Sequence, residues 1–169
     1  VALTAPAVTV DSLTTGDSTP ALSGTIDDAA ATVSVTVDGQ TVAATNDGDG
    51  TWSLADDTLT VLADDVYDVS VTATDAVGNA ASDATADELT VDLTAPVVTV
   101  DALTTADSTP ALGGSVDDTA ASVSVSVNGE TVAATNNGTT WSVADDTLTA
   151  LIEGVYDVSV TATDLAGNA

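Results

Sequence analysis

Apolar residues alternate with small polar ones along almost the whole chain. In Val33-Ser34-Val35-Thr36-Val37 and Val69-Ser70-Val71-Thr72-Ala73 the apolar positions recur at every second residue, the period of a strand with one face buried. Val123-Ser124-Val125-Ser126-Val127 and Val158-Ser159-Val160-Thr161-Ala162 repeat the pattern. No segment carries an apolar stripe of helical period. Strands are predicted over residues 6–11, 19–26, 32–38, 40–45, 51–55, 66–74 and 84–92. Asp38-Gly39 and Asn128-Gly129 fall between alternating runs, a strong hairpin signal, because both central residues of a type I′ turn need positive φ. This succession of short strands and turns predicts an all-β fold, a two-sheet β-sandwich. Leu22, Ile26, Val33, Val35, Val37, Val42, Trp52, Leu54, Val69 and Val71 are expected inside.

The pattern runs twice. A shift of 90 positions lays Asp17-Ser18-Thr19-Pro20-Ala21-Leu22 on Asp107-Ser108-Thr109-Pro110-Ala111-Leu112. After a one-residue deletion the shift is 89, and Trp52 falls on Trp141, Tyr67 on Tyr156 and Asp75 on Asp164. So long a period makes each copy a small domain rather than a solenoid turn. The expected boundaries are 1–91 for the first domain, 92–96 for the linker and 97–169 for the second. The joint Val91-Asp92-Leu93-Thr94-Ala95-Pro96 is echoed by Val1-Ala2-Leu3-Thr4-Ala5-Pro6, and its proline makes it short and stiff. Ala169 corresponds to Ala80, so the second copy is expected to lack its last strand, as a fragment of a longer array would.

Each copy has one Trp and one Tyr. The aromatics are expected to pack inside, and Tyr67, just after a turn, is placed to form a tyrosine corner. The sharper alternative for Trp52 and Trp141 is a sugar-stacking role.

Charge changes the picture most. The chain holds 24 Asp and 3 Glu and no Lys, Arg or His, a formal charge of −27. Such a chain repels nucleic acid and anionic membrane surfaces, and no run of apolar residues is long enough to span a bilayer. No side-chain salt bridge can form, so self-repulsion is tolerated or relieved by cations from solution. Oxygen-only ligands suit calcium or magnesium. Solubility alone explains many aspartates, but not why they cluster in turns at matching places in both copies. There is no cysteine and hence no disulfide. With no histidine or cysteine, no hydrolytic triad can be assembled, and no cationic side chain is available to meet an oxyanion or phosphate. A glycosidase-type pair of aspartates would need an enclosed cleft.

Several motifs occur together and in order: Leu93-Thr94-Ala95-Pro96, Asp107-Ser108-Thr109-Pro110-Ala111-Leu112-Gly113-Gly114, Trp141-Ser142, Tyr156-Asp157-Val158-Ser159-Val160 and Asp164-Leu165-Ala166-Gly167-Asn168. The pattern resembles the bacterial immunoglobulin-like extender repeats of giant calcium-dependent, type I-secreted surface adhesins. The resemblance covers essentially the whole chain. It implies two tandem immunoglobulin-like sandwiches in an extended arrangement, on the bacterial cell surface, with calcium ions and neighbouring identical repeats as partners and no obligate oligomer.

In that topology Asp27, Asp28, Asp75 and Asn79 lie at the pole where the chain enters, and Asp17, Asp64 and Asp65 at the pole where it leaves. The second copy has Asp117, Asp118, Asp164 and Asn168 at its entry pole. At the junction these residues are expected to meet Asp92 and form a calcium site, since calcium takes six to eight oxygens from carboxylates, amides, carbonyls and water. The bland alternative is that Asp164 and Asn168 only shape a turn. At the first joint Ala2 stands in place of Asp92, so the set Asp27, Asp28, Asp75 and Asn79 is one ligand short. Asn46-Asp47-Gly48-Asp49-Gly50 faintly resembles a calcium loop, but the second copy has Asn136-Asn137-Gly138-Thr139-Thr140 there, and a plain turn fits better. The function expected is that of a structural spacer. The rival is a module that itself grips carbohydrate or ice, although no flat Thr-x-Thr array and no cluster of exposed aromatics is seen.

Overall fold

The computed structural model describes residues 4–83 and 85–169. Val1, Ala2 and Leu3, which echo the joint, and Ala84, in the last predicted strand, lie outside the described residues. Two compact units divide the chain, Val1–Leu93 and Thr94–Ala169. Every regular element described is a strand.

The first unit has strands β1 (Leu13–Thr15), β2 (Leu22–Thr25), β3 (Thr32–Val37), β4 (Gln40–Asn46), β5 (Thr51–Leu54), β6 (Asp65–Tyr67), β7 (Val69–Thr74), β8 (Ala80–Ser82) and β9 (Leu89–Val91). They form a six-stranded array ordered β2-β5-β4-β3-β7-β8 and a three-stranded sheet β1-β9-β6. Strand β4 turns a corner: residues through Ala44 pair with β3, whereas Thr45 and Asn46 pair with β5. The β3–β4 hairpin closes on Asp38 and Gly39, at φ 47° and 73°, the type I′ geometry the sequence predicts.

Alternation puts one face of each strand into a single core. Val33, Val35, Val37, Val69, Val71 and Trp52 come from the larger array, Leu89 and Val91 from the smaller sheet. Of the residues expected inside, Val42 alone is only half-buried, packed against the core rather than within it. Trp52 is completely buried, and its Nε1 donates to the Thr9 carbonyl at 2.8 Å. Tyr67 forms the expected corner: its hydroxyl donates to the Ala63 carbonyl at 3.1 Å.

Three predicted strands divide differently. The 6–11 stretch lies alongside β2 through the Val8–Ile26 bridge and bonds from Thr9 and Asp11, and the regular strand is β1, two residues further on. The 66–74 stretch is two strands, β6 paired with β9 and β7 with β3, divided at Asp68. The 84–92 stretch gives β9 only from Leu89. Asp87 turns the backbone at φ 63° as the chain crosses from the sheet of β7 and β8 to that of β1 and β6. A period of two reports a strand but not a change of sheet.

The second unit has β10 (Leu112–Ser115), β11 (Ser122–Val127), β12 (Glu130–Asn136), β13 (Thr140–Val143) and β14 (Val158–Thr163), ordered β10-β13-β12-β11-β14. Its core gathers Val116, Val123, Val125, Val127, Trp141, Val143 and Ala162. The Asn128-Gly129 hairpin, the Trp141–Thr99 bond at 2.8 Å and the Tyr156–Ile152 bond at 2.9 Å reproduce the first unit.

Candidate metal-binding carboxylates

At the entry end of the first unit, Asp27 clasps the incoming chain. Its Oδ1 accepts the Ala7 amide at 2.8 Å, and its own amide donates to the Ala7 carbonyl. Asp28 accepts the Ala30 amide at 2.8 Å, while Asn46 Nδ2 donates to the Asp28 and Ala31 carbonyls. Pairing of Thr32 with Thr74 brings the Asp75 loop to the same end. Buried Asp75 accepts the amides of Val77 and Asn79 through Oδ1, and Asn79 Nδ2 donates to Oδ2 at 2.7 Å. The Asn79 side chain, then the loop amides, hold its carboxyl below the ordinary aspartate range despite partial desolvation.

The second unit repeats this end. Asp117 accepts the Val97 amide at 2.7 Å and Asp118 that of Ala120 at 2.7 Å, with Asn136 bonding the Asp118 and Ala121 carbonyls. Asp164 accepts the Asn168 amide at 2.9 Å and its Nδ2 at 2.8 Å, and its carboxyl is likewise lowered, chiefly by Asn168. Asp164 and Asn168 thus shape a turn, as do Asp75 and Asn79. The Asp47–Asp49 loop is also a turn: its carboxylates accept from Thr51 and Ser53.

The exit end of the first unit holds Asp17, Asp64, Asp65 and Asp92. Asp64 Oδ2 accepts the Leu93 amide at 3.1 Å, and Asp65 pairs with Val91. The Asp92 amide donates to the Thr15 carbonyl, and Thr15 Oγ1 accepts the Asp17 amide.

Sequence reasoning missed the partners of Asp17. Its Oδ1 accepts the Thr19 amide at 2.8 Å, and its carboxyl adjoins that of Asp56. Neighbouring Asp57, at φ 60°, accepts from Thr19 Oγ1 at 2.8 Å. Asp107, Asp145, Asp146 and Thr109 repeat the arrangement. Within each pair the titrations are pushed apart. The Thr19 amide lowers Asp17, whereas the bond to Asp17 and the repulsion from its charge raise Asp56. The available signal was the run Ala55-Asp56-Asp57-Thr58-Leu59-Thr60, repeated as Ala144-Asp145-Asp146-Thr147-Leu148-Thr149. A second omission is Glu88, a buried carboxylate whose Oε2 accepts the Val69 amide at 3.0 Å and whose Oε1 has no hydrogen-bond partner.

Among the described residues of the chain, no group of three or more such side chains is drawn together closely enough to hold a metal ion. The donor chemistry still fits a hard cation: every ionic side chain is a carboxylate, and carboxylates abut in pairs with no cationic side chain to balance them. The buried, backbone-bonded indoles leave no aromatic face for stacking a sugar.

No curated protein matches the chain in a sequence search. Among solved structures, a 1.5-MDa bacterial ice-binding adhesin studied for its retention at the host cell surface is 23% identical, with a TM-score of 0.51 over 96% of this chain and 60% of that one. The fibronectin(III)-like modules of Clostridium thermocellum CbhA are 16% identical, with a TM-score of 0.54 over 96% of this chain and 88% of theirs. A Ca2+-stabilized adhesin with which an Antarctic bacterium binds ice is 28% identical, with a TM-score of 0.47 over 98% of this chain and 46% of that one. The chain therefore spans less than two thirds of either adhesin structure. The family comparison is the most direct: with residues 7–93 and again residues 97–169 matching its model, the chain belongs to the bacterial Ig-like domain family.

Proposed function

We propose that this chain is a stretch of the extender of a secreted bacterial surface adhesin, and that calcium bound at the junction between its domains stiffens it. Its work is mechanical rather than catalytic: it holds a distal binding domain away from the cell. The proposed ligands are Asp92, which opens the linker at 92–96, and Asp117, Asp118, Asp164 and Asn168 from the second domain. Asp27, Asp28, Asp75 and Asn79 would form the matching set at a preceding junction, and Asp17, Asp64 and Asp65 supply further acid at the exit end.

The observation that carries this reading is the recurrence of carboxylates at the same turns of both units in a chain with no cationic side chain. A bound calcium ion would supply the positive charge that the sequence withholds and tie several turns to one point. Asp117 bonds the backbone of Val97, five residues after Asp92, so the linker offers little slack. The rival reading, direct binding of carbohydrate or ice, has no exposed aromatic platform to work with.

Thermal melting tests the reading. A site held at ten times its dissociation constant adds about 1.4 kcal/mol to stability. Extracellular modules bind calcium at roughly 10⁻⁴–10⁻³ M, so millimolar calcium raises the melting temperature and micromolar calcium does not. High sodium chloride in chelator recovers only part of the gain, because screening supplies no ligation geometry. Equal melting in chelator with high salt and in millimolar calcium would reduce the aspartates to a solvated acidic surface.

A further inference from the structure

Two Asn-Gly pairs occur in the second unit, Asn128-Gly129 and Asn137-Gly138. At the same places the first unit has Asp-Gly, in Asp38-Gly39 and Asp47-Gly48. The hairpin between β11 and β12 turns on Asn128 and Gly129, at φ 51° and 81°, and Asn128 is exposed. Nothing lies within 4 Å of where a Cβ on Gly129 would stand, so its amide nitrogen is open to approach. Among the described residues, neither that amide nor the Asn128 side chain makes a hydrogen bond.

Asn137 is held differently. Its Nδ2 donates to Ser142 Oγ at 3.1 Å, and the Gly138 amide donates to Asn136 Oδ1 at 2.9 Å. Asn136 is itself fixed by its bonds to the Asp118 and Ala121 carbonyls. The space around Gly138 is as open as that around Gly129, so hydrogen bonds rather than crowding set the two pairs apart.

We propose that Asn128 is a site of spontaneous deamidation, and that the fold protects Asn137 from the same reaction. The Gly129 nitrogen attacks Asn128 Cγ and closes a five-membered succinimide. The Cγ–Nδ2 bond breaks, and the amide group leaves as ammonia with the proton that Gly129 gives up. Water, the only co-reactant, then opens the ring at one carbonyl to aspartate or at the other to isoaspartate. Aspartate reproduces the Asp38 of the first unit but not its charge. There Gln40 completes the hairpin, whereas Glu130 does so here, and two carboxylates would share one tip. The two residues hold the same place: Gln40 Oε1 accepts the Thr60 amide and Glu130 Oε2 the Thr149 amide, each at 2.8 Å. Isoaspartate adds an atom to the main chain at the turn and breaks the register of Val127 with Glu130.

The test follows the side-chain amide resonances of Asn128 and Asn137 in the isotope-labelled full chain during prolonged incubation, with released ammonia measured alongside. The Asn128 signals should decay faster than those of Asn137 by about tenfold, the order expected where two hydrogen bonds must first break. The rate at Asn128 should rise from neutral to mildly alkaline pH, because the attacking amide must lose its proton. In urea, where each site is only Asn-Gly, the two rates should converge. Ser142→Ala should hasten the loss at Asn137 and leave Asn128 unchanged. The proposal is overturned if Asn128 matches or outlasts Asn137 in the folded chain, or if the difference between them persists in urea.

Discussion

Trp52 Nε1 lies 2.8 Å from the Thr9 carbonyl oxygen, and the bond passes directly over Gly24. A Cβ at Gly24 would stand 1.9 Å from that oxygen and 2.6 Å from the indole nitrogen. Gly114 sits identically beneath Trp141 and Thr99, at 1.9 Å and 2.7 Å. Backbone cannot yield as a flexible side chain could. Gly24→Ala and Gly114→Ala should therefore each cost about 3 kcal/mol, the upper range for overpacking a core. Urea unfolding checks this: the midpoint should fall with little change in slope. An unchanged midpoint would mean that the indole is not clamped.

The carboxylate pairs predict a gain from losing charge. Contact with ionised Asp17 raises the Asp56 carboxyl, so the folded state binds a proton there more tightly than the unfolded chain does. Its stabilising effect is complete below the unfolded carboxyl range and is lost as pH rises through the folded value. Asp56→Asn, and likewise Asp145→Asn, should raise the neutral-pH melting temperature by about 2 °C in calcium-free buffer, the scale of a mild surface change. The gain should vanish near pH 3. A lower melting temperature at pH 7 would show that the pair is not repulsive.

Asp75 has the opposite sign. The Asn79 side chain and loop amides lower its carboxyl, so its contribution is present above the unfolded aspartate value and is lost as pH falls through the lower folded one. Asp75→Ala should expose the Val77 and Asn79 amides to faster hydrogen exchange at pH 6 and leave the Val35 and Val71 amides protected. The difference between parent and variant should shrink in acid below about pH 3.9, the ordinary aspartate value. Unchanged exchange at Val77 would mean that the loop holds without its carboxylate.

Much of this was legible in the residues. Alternation around Val33–Val37 and Val69–Ala73 marks the central strands, and Asp38-Gly39 marks their hairpin. The internal repeat, not periodicity, identifies Trp52 and Tyr67 as parts of the core. The crossings at Asp68 and Asp87 stayed hidden, because leaving one sheet for another preserves the period of two. Asp56 was hidden for a different reason. Its significance depends on Asp17, which the fold brings to it from 39 positions away in the sequence (56 minus 17).

The calcium-stiffened joint is tested most directly by X-ray scattering of the full chain, parent and Asp92→Ala, in millimolar calcium and in chelator. The parent should give a larger and more sharply defined maximum dimension in calcium than in chelator. Asp92→Ala should give the chelator value in both buffers while both units stay folded and melt close to the temperatures of the parent in chelator. A parent whose dimension is the same with and without calcium, and a variant indistinguishable from it, would contradict the account.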